Sequence, residues 1–312
     1  MELVREIENF KKKDCDLYLA LGNFDGVHLG HQKLIQELVK KAKASQGLAA
    51  AFIFEPHPTK IINPEKAPKI LINPEYKAEL LGKMGLDTLI YNSFSLAISK
   101  WSPEEFVERI LVDRLGVKEV FVGFNYSFGH KGAGNPELLK QLGKKYNFAV
   151  NIISPVTLDG EVISSSLVRS ALDAGDIEYA SRLLGYCPTV GGIVVSGEKR
   201  GGAKMGFPTA NLEFNSDLNI PATGVYAARV WIDEVSYKAV INIGRKPTFH
   251  EVYPVSIEAH LMNFTENIYG KYIKIDFLQK IRDERKFNSL EELVEQIKID
   301  CNTADSIASQ YC

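Results

Sequence analysis

Cysteine is scarce in this 312-residue sequence, and the few present do not cluster. Cys15, Cys187, Cys301 and Cys312 stand far apart with no CxxC pair. That spacing argues against a zinc site or a disulfide framework and fits a reducing compartment, so a cytoplasmic protein is expected. Excess charge of either sign is also missing. With a formal net charge of −2, no overall field draws the chain to nucleic acid or a membrane surface, and any anionic ligand must be held by local donors. Long apolar runs are absent: the stretch Leu48–Phe54 is far too short to span a bilayer. The opening MELVREIENF carries charges of both signs and no apolar core, unlike a signal peptide. No internal repeat and no low-complexity tract is present. A chain of this length and ordinary apolar content makes two domains, each able to bury its own core.

In the first half, short apolar strands alternate with amphipathic helices. Strands are expected at Leu17–Leu21, Ala49–Phe54, Thr88–Tyr91, Glu119–Val122 and Ala149–Ile153, and helices at His31–Lys43, Glu75–Met84 and Pro136–Lys145. Pro103 opens a further helix capped by Ser102. Such alternation implies right-handed crossovers and a parallel sheet covered on both faces, with ligands at the carboxyl ends of its strands. Two short helices, Ser165–Ala174 and Ile177–Leu184, are expected to close this half. After Gly185 the pattern changes to period-two runs punctuated by Gly, Pro and Asn, among them Gly224–Trp231, Lys238–Ile243, Ser256–Leu261 and Tyr272–Phe277. An antiparallel sheet closed as a small barrel follows, then a helix over Ser289–Ile299. The domains are therefore placed at 1–186 and 187–312.

The densest motif, Leu21-Gly22-Asn23-Phe24-Asp25-Gly26-Val27-His28-Leu29-Gly30-His31, lies between the first strand and the first helix. Gly22 and Gly26 permit a sharp turn, and Gly30 permits close approach to the helix start, whose free N–H groups and dipole suit a phosphate. His28 and His31, three apart, project from one helical face and can donate to phosphate oxygens. A surface pair or a metal pair are the competing readings, but the location favours phosphate. Ile163-Ser164-Ser165-Ser166-Leu167-Val168-Arg169 again precedes a helix: three hydroxyls and a guanidinium fork can grip a triphosphate, though alone the serines also read as a polar loop and cap.

The HxGH signature with ISSSLVR resembles the nucleotidyltransferase superfamily. The longer strings GNFDGVHLGHQKLI, FEPHP (Phe54–Pro58) and VGFNYSFGHKGAG (Val122–Gly134) resemble one branch of it, the adenylyltransferase module of bacterial bifunctional riboflavin kinase/FAD synthetases, over residues 15–185. The resemblance implies that a phosphate oxygen of FMN attacks the α-phosphorus of ATP while His28, His31 and Arg169 stabilise charge. It implies a nucleotide site at Gly22, Phe24, Asp25, Gly26, Gly30, Ser164, Ser165 and Ser166, with Asn125 and Phe128 bordering nucleotide and flavin. Asn125-Tyr126 replaces the Asp-Phe of many members and Ser166 a Thr, changes that keep polar capability.

The second half carries Gly201-Gly202-Ala203-Lys204-Met205-Gly206-Phe207-Pro208-Thr209-Ala210-Asn211. Glycines around a lysine suit a flap over phosphates, and Thr209 and Asn211 put two oxygens on one strand face, a donor set for Mg²⁺. A glycine loop entering a strand is the competing reading. GFPTAN, followed by Gly224-Val225-Tyr226, Asn242-Ile243-Gly244, Glu258-x-His260 and Ile281-Arg282-Asp283-Glu284, resembles the riboflavin kinases over residues 187–300. That resemblance implies ATP γ-phosphoryl transfer to the riboflavin 5′-hydroxyl, with Glu258 as base. It implies substrate contacts from Lys204, Gly206, Phe207, Pro208 and Asn242, and metal contacts from Thr209 and Asn211. Glu258 also reads as an outward residue paired with a lysine, and Arg282 as either a substrate contact or an ion pair with Asp283 or Glu284. The expected substrates are ATP, riboflavin and FMN; nucleic acid and membrane are not expected partners, and a homo-oligomer is left open. Two alternatives stand: one active module, or a flavin-binding regulator that has lost turnover.

Overall fold

The computed structural model describes residues 1–196, 207–245 and 255–311. By packing it divides into two compact units, residues 1–69 with 74–164 and residues 70–73 with 165–312. Lys204 and Gly206 lie outside the described residues.

The first unit is built on a six-stranded parallel sheet: β1 (Glu2–Arg5), β2 (Leu17–Leu21), β3 (Leu48–Phe54), β4 (Thr88–Asn92), β5 (Val117–Gly123) and β6 (Ala149–Ile153), in the order β1-β4-β3-β2-β5-β6. All five residues of β2 and of β4 are buried, as a parallel sheet covered on both faces requires. The helices are α1 (Leu29–Ala44), α2 (Pro58–Ile62), α3 (Pro74–Lys83), α4 (Pro103–Phe106) and α5 (Pro136–Tyr146). Ser102 and Glu105 form a capping box at α4, which runs on as a π-helix over Val107–Leu115. β1 was not expected from the sequence. Its four residues show no apolar period, and only Val4 is buried.

The hairpin β7 (Thr157–Leu158) and β8 (Glu161–Val162) precedes α6 (Ser165–Ala174) and α7 (Ile177–Leu184). These two helices, expected to close the first half, pack with the second unit. Ala222 N–H donates to Leu172 O at 2.9 Å and Asn219 Nδ2 to Asp173 Oδ1 at 3.1 Å. The second unit is a closed antiparallel barrel of β9 (Thr189–Val195), β10 (Ala210–Phe214), β11 (Gly224–Ile232), β12 (Val235–Arg245), β13 (Val255–Leu261) and β14 (Tyr272–Arg282), ordered β10-β13-β12-β11-β14-β9. Ile241, Ile243, Ile257, Ala259 and Leu261 are buried while their neighbours Asn242, Glu258 and His260 are half-buried, so the latter three face outward.

The terminal helix α8 (Leu290–Gln310) runs eleven residues past its expected end. It covers β11, β12 and β14 by burying Ala304 against Val225, Ala227 and Val240. Basic residues of the barrel pin it: Lys238 Nζ donates to Asp305 Oδ1 at 2.7 Å and Arg229 to Tyr311 O at 2.6 Å. No helix among the described residues is long and apolar enough to cross a membrane.

Candidate functional sites in the two units

In the first unit β2 ends at Leu21, and the chain turns back on itself before α1. Phe24 (φ 48°), Gly26 (φ 77°) and Val27 (φ 37°) all occupy the left-handed region, which for Phe and Val marks real backbone strain. Phe24 is fully buried as the floor of the turn, with its ring 3.1 Å from where a Cβ on Gly22 would stand. A larger residue at position 22 would displace that ring.

His28 is the N-cap of α1. Its Nδ1 accepts from the His31 N–H at 3.3 Å, which leaves the His28 proton on Nε2. The two imidazoles stack, with centroids 3.6 Å apart and planes 17° apart, and Phe24 meets His31 edge-on at 5.3 Å. A Cβ on Gly30 would lie 3.1 Å from the His28 ring and 3.9 Å from the Ile163 carbonyl, so the start of the Ile163–Ser164 segment reaches the first turn of α1. His31 Nδ1 is buried and has no hydrogen-bond partner among the described residues. Burial pushes the His28 pKa down to about 4 and holds His31 well below the usual imidazole value, with the charges of His28 and Lys77 adding to the effect. Both rings are therefore neutral donors at pH 7 in the ligand-free protein.

That neutrality has a cost in acid. Below about pH 6.5 the unfolded chain binds a proton at each histidine that the folded chain refuses, so the stabilisation is complete above pH 6.5 and is lost as the pH falls toward 4. Between pH 6.5 and 5, His28 alone should remove about 2 kcal/mol from the stability of the first unit. Urea unfolding at the two pH values checks this, and equal stability at both would contradict it.

Asp25 is buried in the same turn, and Lys77 of α3, 5% exposed, donates its Nζ–H to the Asn23 carbonyl at 3.0 Å. Burial lowers the Lys77 pKa against the pull of Asp25 and Glu55, and raises that of Glu55. His57, the N-cap of α2, approaches Asn23 Nδ2 at 2.8 Å through Nε2. Beyond β5, Asn125 is exposed, whereas Phe128 is buried in the core, stacked on Tyr126 and tilted against Phe106. Ser164 ends the first unit. Ser165, Ser166 and Arg169 stand on α6 of the second unit, with Arg169 half-buried.

In the second unit strand register brings distant residues into line. Asn211 of β10 pairs with Glu258 of β13, and Glu258 pairs with Asn242 of β12. Three polar side chains thus form one outward row across three strands, half-buried throughout. Thr209 immediately precedes β10 and is exposed. His260 Nδ1 lies 2.9 Å from the Pro208 carbonyl and its ring meets Phe207 edge-on at 5.3 Å, fixing the approach to Thr209. A Cβ on Gly244 would stand 2.5 Å from Glu284 Oε1 and 3.5 Å from Asn242 Nδ2, so the Glu284 carboxylate closes on the end of the row.

Arg282 is in an ion pair, but not with a partner that the sequence suggested. Its guanidinium forks onto buried Asp300 of α8, Nε at 3.0 and 3.1 Å and Nη2 at 2.8 Å, and Nη1 donates to the Asp283 carbonyl. Gln296 donates to the same carboxylate at 2.7 Å. The ion-pair partner is neither Asp283 nor Glu284.

Residues 10–167 match the FAD synthetase family and residues 184–308 the riboflavin kinase family. The bifunctional riboflavin kinase/FMN adenylyltransferase of Bacillus subtilis is 38% identical, over 93% of this chain and 92% of that protein. Those of Pseudomonas fluorescens (37%; 99% and 98%) and Escherichia coli K12 (34%; 97% and 97%) are similar end to end. This chain belongs to the bifunctional riboflavin kinase/FMN adenylyltransferase family. The crystal structure of a macrolide-efflux protein from Streptococcus pneumoniae is similar in fold to this chain at 29% identity, with a TM-score of 0.88 over 98% of this chain and 99% of that one.

Within the family assignment the strained turn and the stacked histidines fall in the FAD synthetase part, and the Asn211–Glu258–Asn242 row in the riboflavin kinase part. Sequence reasoning missed Lys77. Its signal was position: Lys77 and Leu81 are one turn apart on the buried face of α3, where a lysine is out of place.

Proposed function

We propose that the chain makes FMN and then FAD in two ATP-dependent steps, the first carried by functional module 187–312 and the second by module 1–186. One observation carries this reading: the two families match in tandem along nearly the whole chain, and each match contains its own polar constellation.

In the kinase step the riboflavin 5′-hydroxyl attacks the γ-phosphorus of ATP, the bond to the bridging oxygen breaks, and ADP leaves. An alcohol is a poor nucleophile, so Glu258 accepts its proton. Asn242 beside it orients the flavin or nucleotide, and Phe207 and Pro208 contact the substrates. Arg282, held by Asp300, serves the site by anchoring α8 to the end of β14. Thr209 and Asn211 offer neutral oxygens, a donor set that fits a hard cation accompanying ATP phosphates. When bound there, Mg²⁺ supplies charge neutralisation on those phosphates.

In the adenylyl step an FMN phosphate oxygen attacks the α-phosphorus of a second ATP and pyrophosphate leaves. The nucleophile is already anionic, so the protein positions and neutralises. Gly22, Asp25, Gly26 and Gly30 with Phe24 beneath them form the nucleotide turn, and Ser164, Ser165 and Ser166 donate to phosphate oxygens. His28, His31 and Arg169 meet the charge that builds on the triphosphate, while Asn125 and Phe128 border the flavin. The three described free thiols, Cys15, Cys187 and Cys301, suit a cytoplasmic setting. Purified protein given riboflavin and MgATP should accumulate FMN first and FAD later; absence of both products would overturn the reading.

A further inference from the structure

The turn before α1 holds three left-handed residues in four, two of them not glycine. Such a backbone persists only where its surroundings over-determine it. Local bonds contribute: Val27 N–H donates to Phe24 O at 3.1 Å, and Gln32 Nε2 to Val27 O at 2.9 Å. From outside the turn, and from a different helix, comes the ammonium of Lys77. It is buried, and it donates to the Asn23 carbonyl at 3.0 Å, where the chain leaves β2 and enters the left-handed stretch.

A buried ammonium is costly unless paired, and an apolar residue would fill this face of α3 beside Leu81 more cheaply. We propose that Lys77 is a positioning residue for adenylyl transfer: its ammonium, inserted beneath the Asn23–Val27 turn, fixes the backbone that presents His28 and His31. The inference rests on the reading of this turn as the adenylyl-transfer site.

The charged surroundings fit the role. Asp25 in the turn and Glu55 after β3 attract the ammonium, while His31 on α1 feels it as a like charge that disfavours protonation. Glu75 on α3 and Lys60 on α2 act on Glu55 in turn, and Glu55 and Glu75 act on Tyr91 of β4. His28 is the remaining titratable neighbour, stacked on His31. Lys77 thus holds the turn mechanically and biases the adjacent imidazole toward its neutral form.

Lys77→Met keeps the length and apolar stem of the side chain and removes donor and charge. FAD formation from supplied FMN should fall on the order of tenfold to a hundredfold in kcat, the loss expected of a misplaced catalytic group. Riboflavin phosphorylation on the same preparation should stay within about twofold of wild type, since it depends on the other family match. The His31 imidazole, followed by NMR in the ligand-free full chain, should titrate at higher pH than in wild type and return toward the wild-type midpoint in Lys77→Arg, which restores the like charge; loosened packing, which relieves the burial of His31, would raise the midpoint without that charge-dependent return. A folded Lys77→Met protein that makes FAD at the wild-type rate, or whose His31 midpoint does not move, overturns the proposal. If Lys77→Met unfolds the first unit, Lys77→Arg decides: retained FAD formation in a folded protein supports it, and complete loss overturns it. Wild-type protein that makes no FAD from FMN and MgATP would remove the adenylyl-transfer reading itself, an outcome distinct from any behaviour of the variants.

Discussion

His28→Ala combined with His31→Ala is expected to lower FAD formation from supplied FMN by on the order of a hundredfold or more. Riboflavin phosphorylation should stay near wild type. The expectation follows from geometry and charge state together. The rings stack at 3.6 Å at the start of α1, where the N–H groups of the first turn also point outward. Burial keeps both neutral at pH 7, so in the proposed adenylyl transfer they would meet the triphosphate as hydrogen-bond donors. Under that proposal, removing both leaves the charge that develops on the leaving pyrophosphate without these two donors. Because the rings contact one another, the two single variants should not add to the double. Parallel loss of both activities, with a lowered melting temperature, would mean that the pair maintains the fold instead.

Glu258→Gln should act on the other activity. The substitution keeps size and reach and removes the basic carboxylate from the Asn211–Glu258–Asn242 row. General-base assistance is worth roughly a hundredfold to ten-thousandfold, so FMN production should fall within that range, with kcat dropping more than apparent riboflavin affinity. FAD made from supplied FMN should be unchanged. If Glu258 is instead a structural ion-pair partner, the variant will melt at lower temperature and turn over normally. Thermal melting and both rates, measured on one preparation, separate the two.

Much of this was legible in the sequence, for identifiable reasons. Parallel strands buried on both faces read as unbroken apolar runs, which fixes Leu17–Leu21 to the residue; the edge strand Ala149–Ile153, with Asn151 in its middle and only Ile153 buried, is also placed to the residue, from its β-branched residues and its place after a helix. Caps were equally plain: Ser102 and Ser289 each accept from a backbone N–H of their helix. The second half of α8 was not legible, because its docking face, Asp300, Cys301, Ala304, Ile307 and Ala308, is mostly small or charged and makes only a weak apolar stripe. β1 was hidden for a related reason, being an edge strand with one buried residue.

The sites divide in the same way. The glycine turn and paired histidines are local in sequence and were readable from spacing. The alignment of Asn211, Glu258 and Asn242 is a matter of strand register, which the alternating pattern fixes only by face and not by partner. The Arg282–Asp300 fork depends on where α8 docks, so the sequence offers the adjacent Asp283 and Glu284 as ion-pair partners and not Asp300. Lys77 was hidden because a single lysine in a mixed helix reads as solvated.

The most direct test of two chemically distinct ATP-using steps in one chain is a dual-label time course. The purified full-length protein is given riboflavin with ATP labelled at the γ-phosphorus in one reaction and at the α-phosphorus in another, and FMN and FAD are resolved at each time. The expected result is that γ-label enters FMN first and FAD afterwards, while α-label enters FAD and never FMN. α-Label in FMN, or FAD that forms without γ-label, would contradict it.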